Sequence, residues 1–141
     1  MAEETAQMNP QEILAEKIRS IVARYKLPDA SDANLYKAMR RAAVEDNAED
    51  IRCLVVEKGL DINAQDENLQ SLKTALHWAV IKTSCRAVTE LVMLQARMDI
   101  KDFQGRSARA LAMEKNDPQI NSLMMLSDVA EQVASVVRGL R

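Results

Sequence analysis

Aromatic residues are scarce in this chain of 141 residues: one Trp, one Phe and two Tyr, 3% in all. A β-sandwich or barrel draws much of its interior from aromatic and β-branched residues, so this scarcity argues against either and for small helices packed closely through Ala, Leu, Ile, Val and Met. Glycine and proline are equally sparse, three of each. An all-β fold with many tight turns needs more of both. Positive charge is not in excess, since 19 Lys and Arg stand against 21 Asp and Glu, a net charge of −2. No global field is available to hold nucleic acid or an anionic membrane, and neither is expected as a partner. No apolar run approaches the roughly 18 residues of a membrane span, so membrane insertion is not expected. Residues 1–8 are acidic and polar, without the basic and apolar regions of a secretory leader. Cys53 and Cys85 form no Cys-x-x-Cys pair and His77 is the sole histidine. Neither a disulfide framework nor a zinc site follows, and reduced thiols in a cytoplasmic compartment are the expectation.

What is present is mostly helical signal. The length suits one domain, and 48% apolar with 28% charged residues is ordinary for a folded chain. Asn9-Pro10-Gln11-Glu12 supplies a capping side chain, a proline at the first helical position and a first-turn acid. Leu14, Ile18, Ile21, Val22 and Tyr25 then recur on one helical face. At the other end Asp128 and Glu131 have capping-box spacing, and Val129, Val133, Val136, Val137 and Leu140 form a second stripe. Each terminal stripe has two readings: it covers an end of the fold, or it docks on a partner.

The middle of the chain repeats. Lys58-Gly59-Leu60-Asp61-Ile62-Asn63-Ala64-Gln65-Asp66 aligns with Leu94-Gln95-Ala96-Arg97-Met98-Asp99-Ile100-Lys101-Asp102 at a shift of 36 residues. Thr74-Ala75-Leu76-His77-Trp78-Ala79-Val80 aligns with Ser107-Ala108-Arg109-Ala110-Leu111-Ala112-Met113 at a shift of 33. The difference of three places extra residues near Leu69-Gln70-Ser71. Repeats of this length signal stacked supersecondary units.

On these residues the chain resembles the ankyrin-repeat family. Thr74-Ala75-Leu76-His77-Trp78-Ala79 is similar to the family's Thr-Pro-Leu-His opening, and Val88, Leu91-Val92 and Gln95-Ala96 to its later Val, Leu-Leu and Gly-Ala positions. The departures are Ala75 for Pro, Gln95 for Gly, Arg109-Ala110 for Leu-His, and a first unit without the opening motif. The resemblance implies an all-α solenoid of helix-turn-helix units with extended finger loops, flanked by N- and C-terminal amphipathic helices. The expected division is 1–33 as N-terminal helix and linker, 34–126 as the array, in units of about 34–66, 67–102 and 103–126, and 127–141 as C-terminal helix. At the left-handed turn between paired helices, where the family favours Gly, the alignment places Asn47, Thr83 and Asn116; a β-branched Thr83 there implies strain. The Thr74–His77 pair is expected to bond locally and tie a helix start to the next finger.

The resemblance further implies a non-enzymatic module that binds a protein partner through its fingers and first helices. Carried over position by position, the variable surface positions are Glu45 and Asp46 in the first unit, and Glu67, Asn68, Ile81 and Lys82 in the second. In the third they are Phe103, Gln104, Arg106, Glu114 and Lys115. Phe103 either anchors a partner or packs on the preceding finger. Trp78 belongs either to the core or to the concave wall. Met93, Met98, Met113, Met124 and Met125 fill gaps between helices or form an adaptable binding face. Acids concentrate in the first two units and Arg106, Arg109 and Lys115 in the third, which suits a partner with the complementary gradient. Self-association through the terminal helices is the alternative, as is an adaptor delivered into a host cell by an intracellular bacterium. No Gly-rich phosphate loop, Gly-x-Ser-x-Gly elbow or His-Glu-x-x-His pair is present. No catalytic residue, metal or cofactor is assigned.

Overall fold

A computed structural model describes residues 8–66 and 71–139, with side chains given outside 126–132 and 134–135. The chain is all-α across the described residues; a single isolated bridge, Lys101 to Ser107, is its only β-type pairing there. The helices are α1 (Pro10–Arg24), α2 (Asp32–Val44), α3 (Ala48–Arg52) running on into a π-helical turn (Cys53–Glu57), α4 (Ala75–Ile81), α5 (Cys85–Met93), α6 (Ala108–Lys115) and α7 (Pro118–Gly139). Helices α2, α4 and α6 pack side by side in one row, and α3, α5 and α7 pack in a second row. Each member of the first row also packs on the helix that follows it in sequence.

Alanine lets the first row close up. Ala38, Ala42 and Ala43 of α2, Ala75 and Ala79 of α4, and Ala108 and Ala112 of α6 are all at most 2% exposed. A short residue at the contact brings helix axes near together, and the larger Leu35, Met39, Leu76, Val80 and Leu111 fill what remains.

The helix ends follow side-chain capping. Asn9 accepts from the Glu12 N–H, Ser31 from Asn34, Thr74 from His77 and Ser107 from Ala110, each relieving an unpaired first-turn donor. The left-handed turns fall at Asp46 (φ 62°), Thr83 (φ 56°) and Asn116 (φ 52°). The first of these lies one residue before the Asn47 of the alignment. Asn47 instead has φ −97° and caps α3, its Oδ1 accepting from the Asp50 N–H. After Asp46 and Thr83 the chain closes alike, with Asn47 N–H donating to the Ala42 carbonyl at 2.8 Å and Ser84 N–H to that of Ala79 at 2.9 Å.

Helix α1 docks through the face marked apolar in sequence: Ile18, Ile21 and Tyr25 are buried, with Leu14 and Val22 half-buried. Tyr25 is the anchor. Its hydroxyl donates to Asp50 Oδ2 at 2.8 Å, its carbonyl accepts from Arg41 at 2.7 Å, and the Arg41 guanidinium lies 5.3 Å from its ring centroid. Asp50 Oδ2 also accepts from Arg24 and from Asn47 Nδ2. Burial, with the Asp50 carboxylate beside it, pushes the Tyr25 phenol well above its usual range.

The far end differs from expectation. The C-terminal helix does not begin near 127: α7 runs unbroken from Pro118 to Gly139. Its start signal is Asp117-Pro118, where Asp117 Oδ1 accepts from Gln119 N–H at 2.9 Å and Ile120 N–H at 3.3 Å. The capping-box spacing at 128 and 131 therefore falls inside a helix already under way. The first turns of α7 cover the rest of the fold through buried Ile120 and Met124, whereas Val133, Val136 and Val137 are 56%, 64% and 58% exposed. Those three valines do not cap the fold, a turn of 100° per residue carrying them to the other side of the helix; Leu140 and the side chain of Val129, the rest of the stripe, lie outside the described residues.

Replacing Asp50 by Ala strands the buried Tyr25 hydroxyl and is expected to cost about 2 kcal/mol. Thr83→Gly, which relieves a β-branched side chain in the left-handed region, is expected to stabilise by about 1 kcal/mol. Urea denaturation of both variants measures the two shifts in opposite directions.

Candidate functional site

The hairpin that opens the third unit, residues 102–107, is held almost entirely by its backbone and by the preceding unit. Asp102 N–H donates to the Arg106 carbonyl at 2.9 Å, and Asp102 Oδ1 accepts the N–H groups of Gln104 and Arg106, both at 2.9 Å. Gly105 N–H donates to the Asp102 carbonyl at 2.9 Å, and its φ of 79°, in the left-handed region, turns the chain back so that Arg106 pairs with Asp102. Asp102 is buried, and burial alone raises a carboxyl pKa. The Arg106 and Gln104 N–H groups, with Lys73 Nζ at 3.4 Å, overcome this and hold it below the ordinary 3.8.

Three contacts fasten this hairpin to the second unit. Phe103 N–H donates to the Ser71 carbonyl at 2.8 Å, Gln65 Nε2 donates to the Lys101 carbonyl at 3.0 Å, and His77 Nε2 lies 3.0 Å from the Arg106 carbonyl. The tautomer of His77 follows from its partners. Nδ1 accepts the Thr74 N–H at 3.1 Å, so the ring proton sits on Nε2 and is donated to Arg106. His77 is fully buried, and burial lowers its pKa from 6.5. Thr74 and His77 thus bond locally and tie a helix start to the next finger, as read from the sequence.

On this support Phe103 is 73% exposed. Its backbone docks on the preceding finger and its ring does not. Beside it Arg106 donates to Gln104 Oε1, and pairs with Glu114 of α6 at 3.2 Å. Four of the sequence-assigned positions, Phe103, Gln104, Arg106 and Glu114, are therefore gathered at one place. Lys115 is exposed in the last turn of α6.

The other assigned residues are dispersed. Glu45 and Lys82 are exposed at the C-terminal ends of α2 and α4. Ile81 is half-buried against the core and contributes packing as much as surface. Asp46 is occupied, because its Oδ1 accepts the Ala87 N–H of α5 at 2.8 Å and ties one unit to the next. Glu67 and Asn68 lie outside the described residues. With Arg106 paired to Glu114 and Asp46 bound to backbone, the charge gradient read from sequence is weaker on the surface than in composition.

Met113, for which the sequence left gap filling and an adaptable binding face open, lies at the surface. It is 71% exposed on α6, adjacent to Glu114, and Met93 and Met125 are each 64% exposed, whereas Met98 and Met124 are buried. The signal was present: Met113 and Glu114 are consecutive at the end of α6, beyond the buried Leu111-Ala112 pair. Trp78 is half-buried, with the Lys73 ammonium 5.8 Å from its ring.

Other concavities carry less chemistry. A cleft of about 520 Å³ between α1 and α3 has polar walls that pair with one another, Lys17 to Glu57 at 2.9 Å and Arg24 to Asp50. Cys53, at its edge, is pushed up to about 11 by burial and by the Glu57 carboxylate. Cys85 Sγ reaches Gln119 Oε1 at 3.4 Å. Among the described residues neither thiol bonds to His77, no group of three His, Cys, Asp or Glu is placed to hold a metal, and no helix is long and apolar enough to cross a membrane. No protein-family model matches this sequence, and a search of curated proteins found none similar to it.

Because His77 is lowered from 6.5, the folded chain binds fewer protons than the unfolded one once pH falls below that value. The stability contributed by neutral His77 is present above pH 6.5 and is lost as pH drops through its folded pKa. Urea midpoints taken from about pH 8 to about pH 5 should fall for the native chain and fall less for His77→Gln. Asp102, also lowered, acts only around and below pH 3.8 and leaves that window undisturbed.

Proposed function

We propose that this chain is a short ankyrin-type repeat array, without enzymatic activity, that binds a protein partner through the hairpin of its third unit and the adjoining end of α6. The observation that carries the reading is Phe103, the sole Phe of the sequence, displayed 73% exposed on a hairpin whose backbone is pinned by Ser71, His77 and Asp102. An aromatic on a rigid support gives a partner contact area with little ordering cost. Met113, exposed on α6 beside Glu114, adds a deformable apolar side chain on the same unit, and Lys115 an exposed charge in the last turn.

The repeat reading draws support from geometry that recurs at the spacing of the sequence alignment. Gly59 (φ 84°) and Gln95 (φ 66°) are 36 residues apart, while Leu72 (φ 56°) and Gly105 (φ 79°), and Thr83 and Asn116, are 33 apart. Asp66 N–H to the Lys73 carbonyl repeats as Asp102 N–H to the Arg106 carbonyl. The buried acids match as well: Arg40 Nε lies 3.4 Å from Asp66, as Lys73 does from Asp102. Stacked units joined in this way leave their fingers and first-helix ends to vary, and binding is where such variation is used. Two free thiols suit a reducing, cytoplasmic setting.

Co-purification from cells with the tagged chain, followed by titration of the captured protein, tests the proposal. Phe103→Ala should weaken binding by about tenfold or more and Lys115→Glu by less, whereas Val56→Ala, exposed on the π-helical turn of the second row, should leave it unchanged. Equal affinity of the Phe103→Ala and native chains moves the site elsewhere.

A further inference from the structure

Charge is unevenly spread along the chain. Residues 71–116, the described part of the second unit and the third unit through the turn after α6, carry eight Lys and Arg against four Asp and Glu, a net charge of +4 in a chain whose total is −2. The four acids are occupied or lie away from the first row. Asp102 is buried with Lys73 Nζ at 3.4 Å, Asp99 pairs with Arg97 at 2.9 Å, Glu114 pairs with Arg106 at 3.2 Å, and Glu90 is half-buried on α5 in the second row. Arg109 Nη2 reaches Met98 Sδ at 3.4 Å. Lys82, Lys101, Lys115 and Arg86 remain, exposed and paired with no carboxylate among the described residues.

The three lysines belong to the first row and its hairpin. His77, in the first turn of α4, bonds to the Arg106 carbonyl just before α6, so these two helices run side by side from neighbouring starts. Their ends are neighbours for the same reason. Lys82 and Lys115 stand there, 33 residues apart in sequence and about 10 Å apart at the spacing of packed helices. Lys101 bridges to Ser107, the cap of α6, and so lies about 12 Å away at the other end of that helix, two residues before Phe103. The Arg106–Glu114 pair ties the hairpin to the last turn of α6, which puts hairpin and helix end on one side. On α2 the equivalent end carries Glu45, so the positive edge stops at the second unit. Arg86 is on α5, in the second row.

We infer that the partner docked at the Phe103 hairpin presents a short acidic segment, Asp or Glu flanking an apolar residue, to Lys82, Lys101 and Lys115. This rests on the function proposed above for the site and adds the chemistry of what binds there. About four extended residues span about 13 Å, close to the length of α6, so a segment of that size meets Lys101 and Lys115 while its apolar side chain covers Phe103. Carboxylates placed there meet three cations that have no internal partner, so no existing ion pair has to be broken. A nucleic acid fits less well, because it is held by neutralising many phosphates, on the order of 6–10. Three lysines on a chain of net charge −2 fall short of that.

Fluorescence anisotropy with synthetic peptides tests this. The probe is a labelled Glu-Glu-Leu-Glu-Glu peptide between Gly-Ser arms, set against versions with Gln or Lys for every Glu and against an oligothymidylate of equal charge. At about 50 mM salt the Glu peptide should bind at least about tenfold more tightly than the Gln version. It should lose about tenfold by about 500 mM, as the Debye length falls from about 14 Å to about 4 Å. Lys82→Glu combined with Lys115→Glu should weaken it about tenfold, and Arg86→Glu should not. Phe103→Ala reads the site separately: Glu-peptide binding that depends on the lysines and not on Phe103 removes the hairpin from the site and upholds the acidic preference. Dependence on Phe103 with equal binding of the Glu and Gln peptides upholds the hairpin and overturns the inference. So does tighter binding of the oligothymidylate, or no binding of the Glu peptide at about 1 mM chain.

Discussion

No helix in the middle of this molecule is long enough to stand alone. Helices α3 to α6 have between five and nine residues each, well short of the about 12 at which an isolated helix becomes even marginal in water. Each therefore exists because its neighbours bury it, and the small side chains of the first row are the condition for that burial. A methyl group at Ala42, Ala79 or Ala112 sets how near the next helix can come, and everything larger is arranged around those contacts. The aromatic-poor composition accords with this: a row of alanines leaves little interior volume for large rings, and the buried rings among the described residues are those of Tyr25 and His77.

Stacking by itself leaves adjacent units free to slide, and the polar groups between units remove that freedom. Asp46 binds the backbone of α5, Ser84 donates to the Val44 carbonyl, Asn63 accepts the Arg97 N–H, and His77 reaches forward to Arg106. All are directional, and nearly all use one side chain to satisfy a backbone group in the next unit. Such bonds contribute little net free energy each, but a buried partner left unsatisfied is costly, so they fix register more than they add stability. The Phe103 hairpin inherits its rigidity from this arrangement. Its tip is rigid because the unit behind it supplies the donors and acceptors.

Much of this was legible in residue order. The caps at Asn9, Thr74 and Ser107, the packed face of α1 and the recurrence at 36 and 33 residues all rest on local chemistry that a sequence displays directly. The left-handed turn of the first unit was misplaced by one residue because Asp46 and Asn47 are both able to adopt it; what separates them is the Ala87 N–H, which arrives from another unit. The extent of α7 was misjudged because a capping-box pattern within a helical run is indistinguishable from one that begins a helix. The earlier start at Asp117-Pro118 and the absence of any breaker after it decided the outcome. Exposure of Phe103 was undecidable in sequence, since a fingertip ring has either the neighbouring finger or open water to face, and only the assembled surface distinguishes them.

The π-helical turn at Cys53–Glu57 has a chemical corollary. It brings the Cys53 thiol into contact with the Glu57 carboxylate in a buried position, and burial and that carboxylate push the thiol up to about 11, which keeps it protonated at pH 7. Nucleophilic and oxidising reagents act on the thiolate, so Cys53 is shielded by its ionisation as well as by its burial. Toward an electrophile the chain behaves as though it had one cysteine, Cys85, at the junction of α5 and α7. A single covalent label placed there would report on the second row of helices without disturbing the first.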